Sequence, residues 1–466
     1  MDTSSVEKSL VSGSLIYVGQ QILSKGVSFV LNQYLVRISN PTLFGDVASY
    51  EALCMMVLFF SRYAVRLAAQ RQPCTAEGRS NVATLGSASV LFGSAMLLFV
   101  SFWWRHSHTA LVYDIATFIE LCTEPFYCMA MFDSKDLVIA RAEFYSLIIK
   151  SLVSVYFVKQ SASPLSFAYG QTAYAVSLLA LYVVSTKSIP SLTRLAKDNY
   201  ILLLTLFGQS LFHYYQSEGD RLLVMSLPAE DRGVYYVASN YGSLIARLLF
   251  LPVEEKIRQV FSRARQSNRA SDILSLAQDV LRWYAYFAGL ILLYAPLLLP
   301  FLFSFVAGSS WLGIDRILHA YGYYVSFLAL NGVLEAMLQA TLPVQGLRRQ
   351  TIVSFIFSIL HYLLGTRMLQ YGAKGLIFAN IANMALRIVF AAILLSRSLN
   401  VGPTSIDWRL SPLFVVTYAI LPSSISNFYD LTKIVATGLT LTAAVAVVEL
   451  RKLRKVRRQQ TTKKEH

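Results

Sequence analysis

The stretch GQSLFHYYQSEGDRLLVM, Gly208–Met225, is apolar enough for a bilayer yet punctuated by polar residues. Gln209, His213, Gln216 and Asp220 fall at i, i+4, i+7 and i+11, which is one face of one helix. Lipid offers such a stripe no hydrogen-bond partner, so it must turn towards protein or a wet cavity. The segment behind it, GVYYVASNYGSLIARLLFLPVEEKIRQVFSR (Gly233–Arg263), carries Arg247 inside an apolar run and a basic cluster at its end. Together the two read as the wall of a polar chamber inside a membrane protein.

Composition agrees with that reading. The 466 residues are 55% hydrophobic and 14% charged, with a mean hydropathy of +0.51. A soluble chain would be about a quarter charged. The class is therefore an all-α, polytopic membrane protein. Cys54, Cys122 and Cys128 lie in apolar runs and read as buried thiols, and with Cys74 they show no metal-ligand or disulfide spacing. The N-terminus has no small-residue cleavage site, so the first span is expected to act as the targeting signal.

Apolar runs of roughly 20 residues give about fourteen spans. Six lie near 14–36, 43–65, 81–104, 109–132, 136–158 and 162–186, followed by the polar connector SIPSLTRLAKDNY. Six more lie near 200–226, 232–256, 279–306, 317–342, 350–371 and 374–397, and two last ones near 410–426 and 429–450. The expected organisation is an N-terminal lobe over 1–192, a C-terminal lobe over 193–400, two extra helices over 401–452 and a basic tail over 453–466.

Odd-numbered loops hold about one cation each: Arg37, Arg105, Lys159, Arg232 and Lys374. Even-numbered loops and both termini hold roughly four times as many in total, among them Arg71, Arg79, Arg194, Lys197, Lys256, Arg258, Arg263 and the tail. This bias places both termini in the cytosol. The net charge of +15 is thus topology, with anionic lipid as a secondary partner and no nucleic acid implied.

A repeat is also visible. Adding 188 to Gln21, Lys25, Ser28 and Asn32 gives Gln209, His213, Gln216 and Asp220, and the same offset carries Gly45 onto Gly233. Six spans per unit is an even number, so the two units share an orientation. Paired bundles of this kind bind at their interface and rock against each other.

Charge inside spans costs several kcal/mol unless paired or hydrated. Glu120 and Glu124 stand one turn apart on span four, with Arg141 and Lys150 on adjacent span five, and these four read as a structural ion network. Glu335 with Arg387 reads the same way, while Glu218, Asp220, Arg221 and Glu254 are ion or structural sites. Lys25, Arg62 and Arg247 have no equal number of acids near them, and a cationic chamber suits an anionic, phosphate-bearing substrate. Asn32, Arg66, His213 and Gln216 complete the expected substrate wall. No P-loop, nucleophile elbow or zinc motif is present, so neither an enzyme nor a cofactor or metal is expected.

Several segments carry a family resemblance. FVLNQYLVR with NPTLFG (Phe29–Gly45), FFSRYAVR (Phe59–Arg66), ELCTEPFY (Glu120–Tyr127) and RAEFYSLIIK (Arg141–Lys150) resemble the Rft family of endoplasmic-reticulum membrane proteins. So do QSEGDRLLV and GSLIARLLFLPVEE (within Gln216–Glu255), FLALNGVLEA (Phe327–Ala336) and GLIFANIANMALRI (Gly375–Ile388). The resemblance implies a MurJ-like fold of the multidrug/oligosaccharidyl-lipid/polysaccharide (MOP) superfamily, two six-helix lobes plus two helices. It further implies movement of Man(5)GlcNAc(2)-PP-dolichol across the endoplasmic reticulum membrane for N-glycosylation, with other proteins of that pathway as partners. The alternative is an accessory protein of the same pathway that moves no lipid. The ending Lys463-Lys464-Glu465-His466 resembles a cytosolic dilysine retrieval signal.

Overall fold

The computed structural model describes residues 30–104, 107–186, 197–266, 270–306, 311, 313–399, 411–425 and 427–462. These residues are helical almost throughout, with no strand among them. In order they form α1 (30–38), α2 (Pro41–Gln70), α3 (Ala76–Trp104), α4 (His108–Leu121), α5 (Glu124–Phe132), α6 (Asp136–Gln160) and α7 (Pro164–Thr186). Then come α8 (Lys197–Val224), α9 (Ala229–Ile245), a π-helical turn (Ala246–Phe250), α10 (Leu251–Gln266) and α11 (Ala270–Val306). The remainder are α12 (Ile314–Thr341), α13 (Val344–Met368), α14 (Gly372–Leu399), α15 (Ser411–Ile420) and α16 (Phe428–Thr462). Among the described residues, eight helical stretches are long and apolar enough to cross a bilayer, so this is a multi-pass membrane protein.

Helices and expected spans are not one to one. Span four is broken into α4 and α5, because Pro125 has no amide N–H to continue the ladder. Span eight is interrupted by the π turn that contains Arg247. Elsewhere local signals start the helices. Asn40 caps α2 by accepting the Leu43 amide at 2.8 Å, with Pro41 preset for the first turn. Ser107 caps α4 in the same manner through the Ala110 amide.

The chain divides into two compact units: Met1–Tyr236 with Val306–Trp311, and Val237–Phe305 with Leu312–His466. The first packs α2 against α3, α4, α5, α7 and α8, and α6 against α7. Its core gathers Val57, Leu58, Leu85, Leu121 and Cys128. The second packs α12 against α10 and α14, and α14 against α13, around Phe261, Val333, Met337 and Leu395. Phe414 of α15 lies against Gly289 of α11, and Thr437 of α16 accepts from the Tyr294 hydroxyl at 3.3 Å.

Within the first unit, the 188-residue offset reappears as packing. A Cβ on Gly45 would collide with the Ala229 carbonyl, and one on Gly233 would collide with the Pro41 carbonyl. Pro41 and Ala229 are themselves 188 apart, so the first turns of α2 and α9 cross reciprocally about their two glycines. Only a residue without a side chain permits backbones to approach so closely. Arg232 and Asp46 flank the crossing, paired at 3.4 Å.

Candidate functional site

The break between α4 and α5 brings four charged side chains together inside the first unit. Glu120 ends one helix and Glu124 begins the next, so both carboxylates face α2 rather than stacking along a single ladder. Thr123 turns its hydroxyl back onto the Glu120 carbonyl at 2.7 Å, holding the corner. From α2, Arg62 donates to Glu120 Oε1 at 2.8 Å and to the Glu120 carbonyl at 3.0 Å. Its Nε lies 2.9 Å from Glu124 Oε2. One turn on, Arg66 forks onto Glu124 through Nε and Nη2 at 2.5 and 2.9 Å. Its guanidinium also covers the Tyr127 ring at 3.8 Å.

The network is dry. Glu124 is 0% exposed, Glu120 8% and Arg62 15%, and only Arg66, at 31%, keeps appreciable access. Gln171 of α7 fills the remaining Glu120 oxygen at 3.0 Å, and Cys128 lies 3.9 Å from Glu124 Oε1. Two arginines thus meet two glutamates with hydrogen bonds on most lone pairs, the condition under which buried ions are tolerated.

These partners differ from the ones expected. Arg141, proposed to neutralise Glu120 and Glu124, is exposed and pairs with neither. Lys150 instead reaches Glu51 of α2 at 3.1 Å, whose second oxygen accepts the Tyr236 hydroxyl at 2.7 Å. Glu51 was missed, although it lies within an apolar span like the other charges. Arg62, expected to lack an acid, has two of them, because packing places α2 beside α4 and α5. Glu335 and Arg387 do meet, at 3.2 Å, with Asn331 donating to the same carboxylate. Glu218 pairs with Arg221 one turn along α8 at 2.8 Å, and Glu254 lies against Gly332 of α12.

Of the expected substrate wall, His213 is exposed and stacks on Tyr63 of α2 with ring centroids 4.9 Å apart. Gln209 is exposed beside it on the same face, while Asp220 and Asn32 are half-buried. Lys25 and the side chains of Gln216 and Arg247 lie outside the described residues. The described residues hold no group of three metal-ligating side chains.

The family model described as Rft protein matches residues 9–462. The chain belongs to the Rft protein family. Two relatives are each named Man(5)GlcNAc(2)-PP-dolichol translocation protein RFT1. The Yarrowia lipolytica protein is 31% identical over 84% of this chain and 72% of its own length. The Saccharomyces cerevisiae protein is 28% identical over 84% and 83%. Among solved structures, the lipid II flippase MurJ in an inward closed conformation aligns with a TM-score of 0.70 at 15% identity, covering 94% of this chain and 99% of MurJ. An inward-facing multidrug resistance MATE family transporter of the MOP superfamily aligns at 0.55 and 10% identity, covering 81% of this chain and 95% of its own. The Rft chain therefore has the MurJ- and MATE-like fold.

Proposed function

We propose that this Rft protein moves Man(5)GlcNAc(2)-PP-dolichol from the cytosolic to the luminal leaflet of the endoplasmic reticulum membrane, as a transporter and not an enzyme. The observation that carries this reading is its membership, over residues 9–462, of a family with relatives named Man(5)GlcNAc(2)-PP-dolichol translocation proteins. The mechanism is alternating access of two lobes around a cationic cavity, with both termini cytosolic as the loop charges require. The diphosphate sits against Lys25, Arg62 and Arg247, and the glycan lies along Asn32, Arg66, His213 and Gln216. The dolichyl tail stays in lipid.

Arg62 and Arg66 enter this cycle already paired. The diphosphate therefore displaces carboxylate oxygens rather than filling an empty cationic site, and phosphate can replace carboxylate on the same fork. Removing a charge pair as a neutral unit tests this without stranding one ion. Arg62→Gln with Glu120→Gln is expected to keep the fold and lower translocation in liposomes about tenfold, the loss of one charge-assisted contact.

The same pairing favours a second reading, an accessory protein of the pathway in which the arginines serve architecture alone. Unchanged translocation in that double variant would assign the network to structure, and no translocation by the native protein would favour the accessory role.

A further inference from the structure

The second unit contains a separate cavity of about 380 Å³ that the proposed transport site does not use. It lies where one end of α11 meets the first turns of α12 and α14 and the turn between α15 and α16. Its polar lining comprises Asp315, Arg316 and His319 from α12, Lys374 from α14, and Ser423 and Ser424. α11 contributes a mainly apolar part of the lining, Pro296, Leu297, Pro300 and Phe301, together with Ser304.

Its charge is unbalanced. Elsewhere among the described residues the half-buried cations Arg62 and Arg66 face Glu124, Lys150 faces Glu51 and Arg387 faces Glu335, while in this cavity Lys374 is half-buried and Arg316 exposed. Among the described residues, neither Arg316 nor Lys374 has an ion-pair partner, and Asp315 offsets only one of the two. His319 leans edge-on to Tyr323, with centroids 5.3 Å apart, and lines the cavity. Two unpaired cations with serine hydroxyls beside them match the tetrahedral oxygens of a phosphate, to which a guanidinium donates as a fork. The volume suits a small polar head with part of an apolar body, and an apolar wall beside the cations is what an amphiphile needs.

We propose that this cavity binds a phosphate monoester, held by Arg316 and Lys374, with Ser423 and Ser424 as hydroxyl donors and Phe301 against the apolar remainder of the molecule. The same terminal phosphate is offered by the headgroup of a phosphatidic acid and by inorganic phosphate. The site is independent of the Arg62 network, and its test reads binding, so it stands apart from translocation.

The test uses the full-length protein in phosphatidylcholine nanodiscs containing a small fraction of photoactivatable phosphatidic acid. Crosslinked peptides are mapped, with matched photoactivatable phosphatidylcholine as control. Phosphatidic acid is expected to label peptides containing Phe301, Arg316 and Ser423–Ser424, and the phosphatidylcholine probe to label them about tenfold less. Arg316→Gln with Lys374→Gln should bring the two probes level. Protection by millimolar inorganic phosphate identifies a soluble phosphate as ligand, whereas protection by unlabelled phosphatidic acid alone identifies a lipid. Equal labelling by both probes in the native protein would overturn the proposal, and that comparison holds even if the double variant fails to fold. Labelling unchanged by the substitutions in a folded variant would overturn it as well.

Discussion

Glu124 is the residue on which the first unit most depends electrostatically. It has no exposure, and both Arg62 and Arg66 converge on it. Glu124→Gln keeps the shape but leaves Arg66 without its acid, which is expected to cost about 3–5 kcal/mol. Thermal denaturation of the purified protein measures this; melting equal to the native protein would show that the charge is replaceable. A milder effect is expected at Asp133, in the turn after α5. Burial pushes its carboxyl up, but hydrogen bonds from Arg79 and Lys135, each at 3.1 Å to a carboxylate oxygen, outweigh this and hold it below the usual carboxylate range. A lowered value means stability that is complete above the ordinary pKa of about 4 and is lost as pH falls through the folded value. Asp133→Asn should therefore melt below the native protein at pH 7, and the gap should close only below about pH 4. A gap independent of pH would contradict the charge origin of the effect.

At the scale of elements, the crossing of α2 and α9 allows no added atom, since the obstacle at each glycine is backbone carbonyl. Gly45→Val and Gly233→Val should each push the first turns apart and lower the yield of folded protein, whereas Gly208→Ala, which meets nothing within 4 Å, should not. Fluorescence-detected size-exclusion profiles read the difference, and a native profile for Gly45→Val would refute the close crossing. The offset relating Gly45 to Gly233, each at the head of a similar helix, was legible in the sequence, but their close crossing was not. Nor was the arginine–glutamate pairing. Span order alone put Glu120 beside Arg141 and Lys150 on the next span, but chain neighbours need not be spatial partners on the charged face. Pro125 signals the α4–α5 break that turns both glutamates towards α2, and combining that signal with Arg62 and Arg66 at one-turn spacing would have found the network. Glu51 was equally readable as a charge in a span, but its partners, Lys150 and Tyr236, come from distant segments and only packing unites them.

For the whole molecule, periodicity and hydropathy sufficed for an all-α membrane protein, and short segments spread along the chain carried the family. The charge bias of the loops is consistent with how they meet in the first unit. Arg79 of the second loop reaches Asp133 of the fourth, and Arg232 of the seventh reaches the head of α2 after the first, so loops of equal parity share an end. What sequence could not supply was the electrical state of the proposed site, which depends on which carboxylates pack against Arg62 and Arg66. The most direct test of the proposed function is the rate at which labelled Man(5)GlcNAc(2)-PP-dolichol crosses liposomes containing the purified native protein. A rate that rises in proportion to the protein incorporated is the predicted result. A rate equal to that of protein-free liposomes, with the protein folded, would contradict translocation and leave the accessory role.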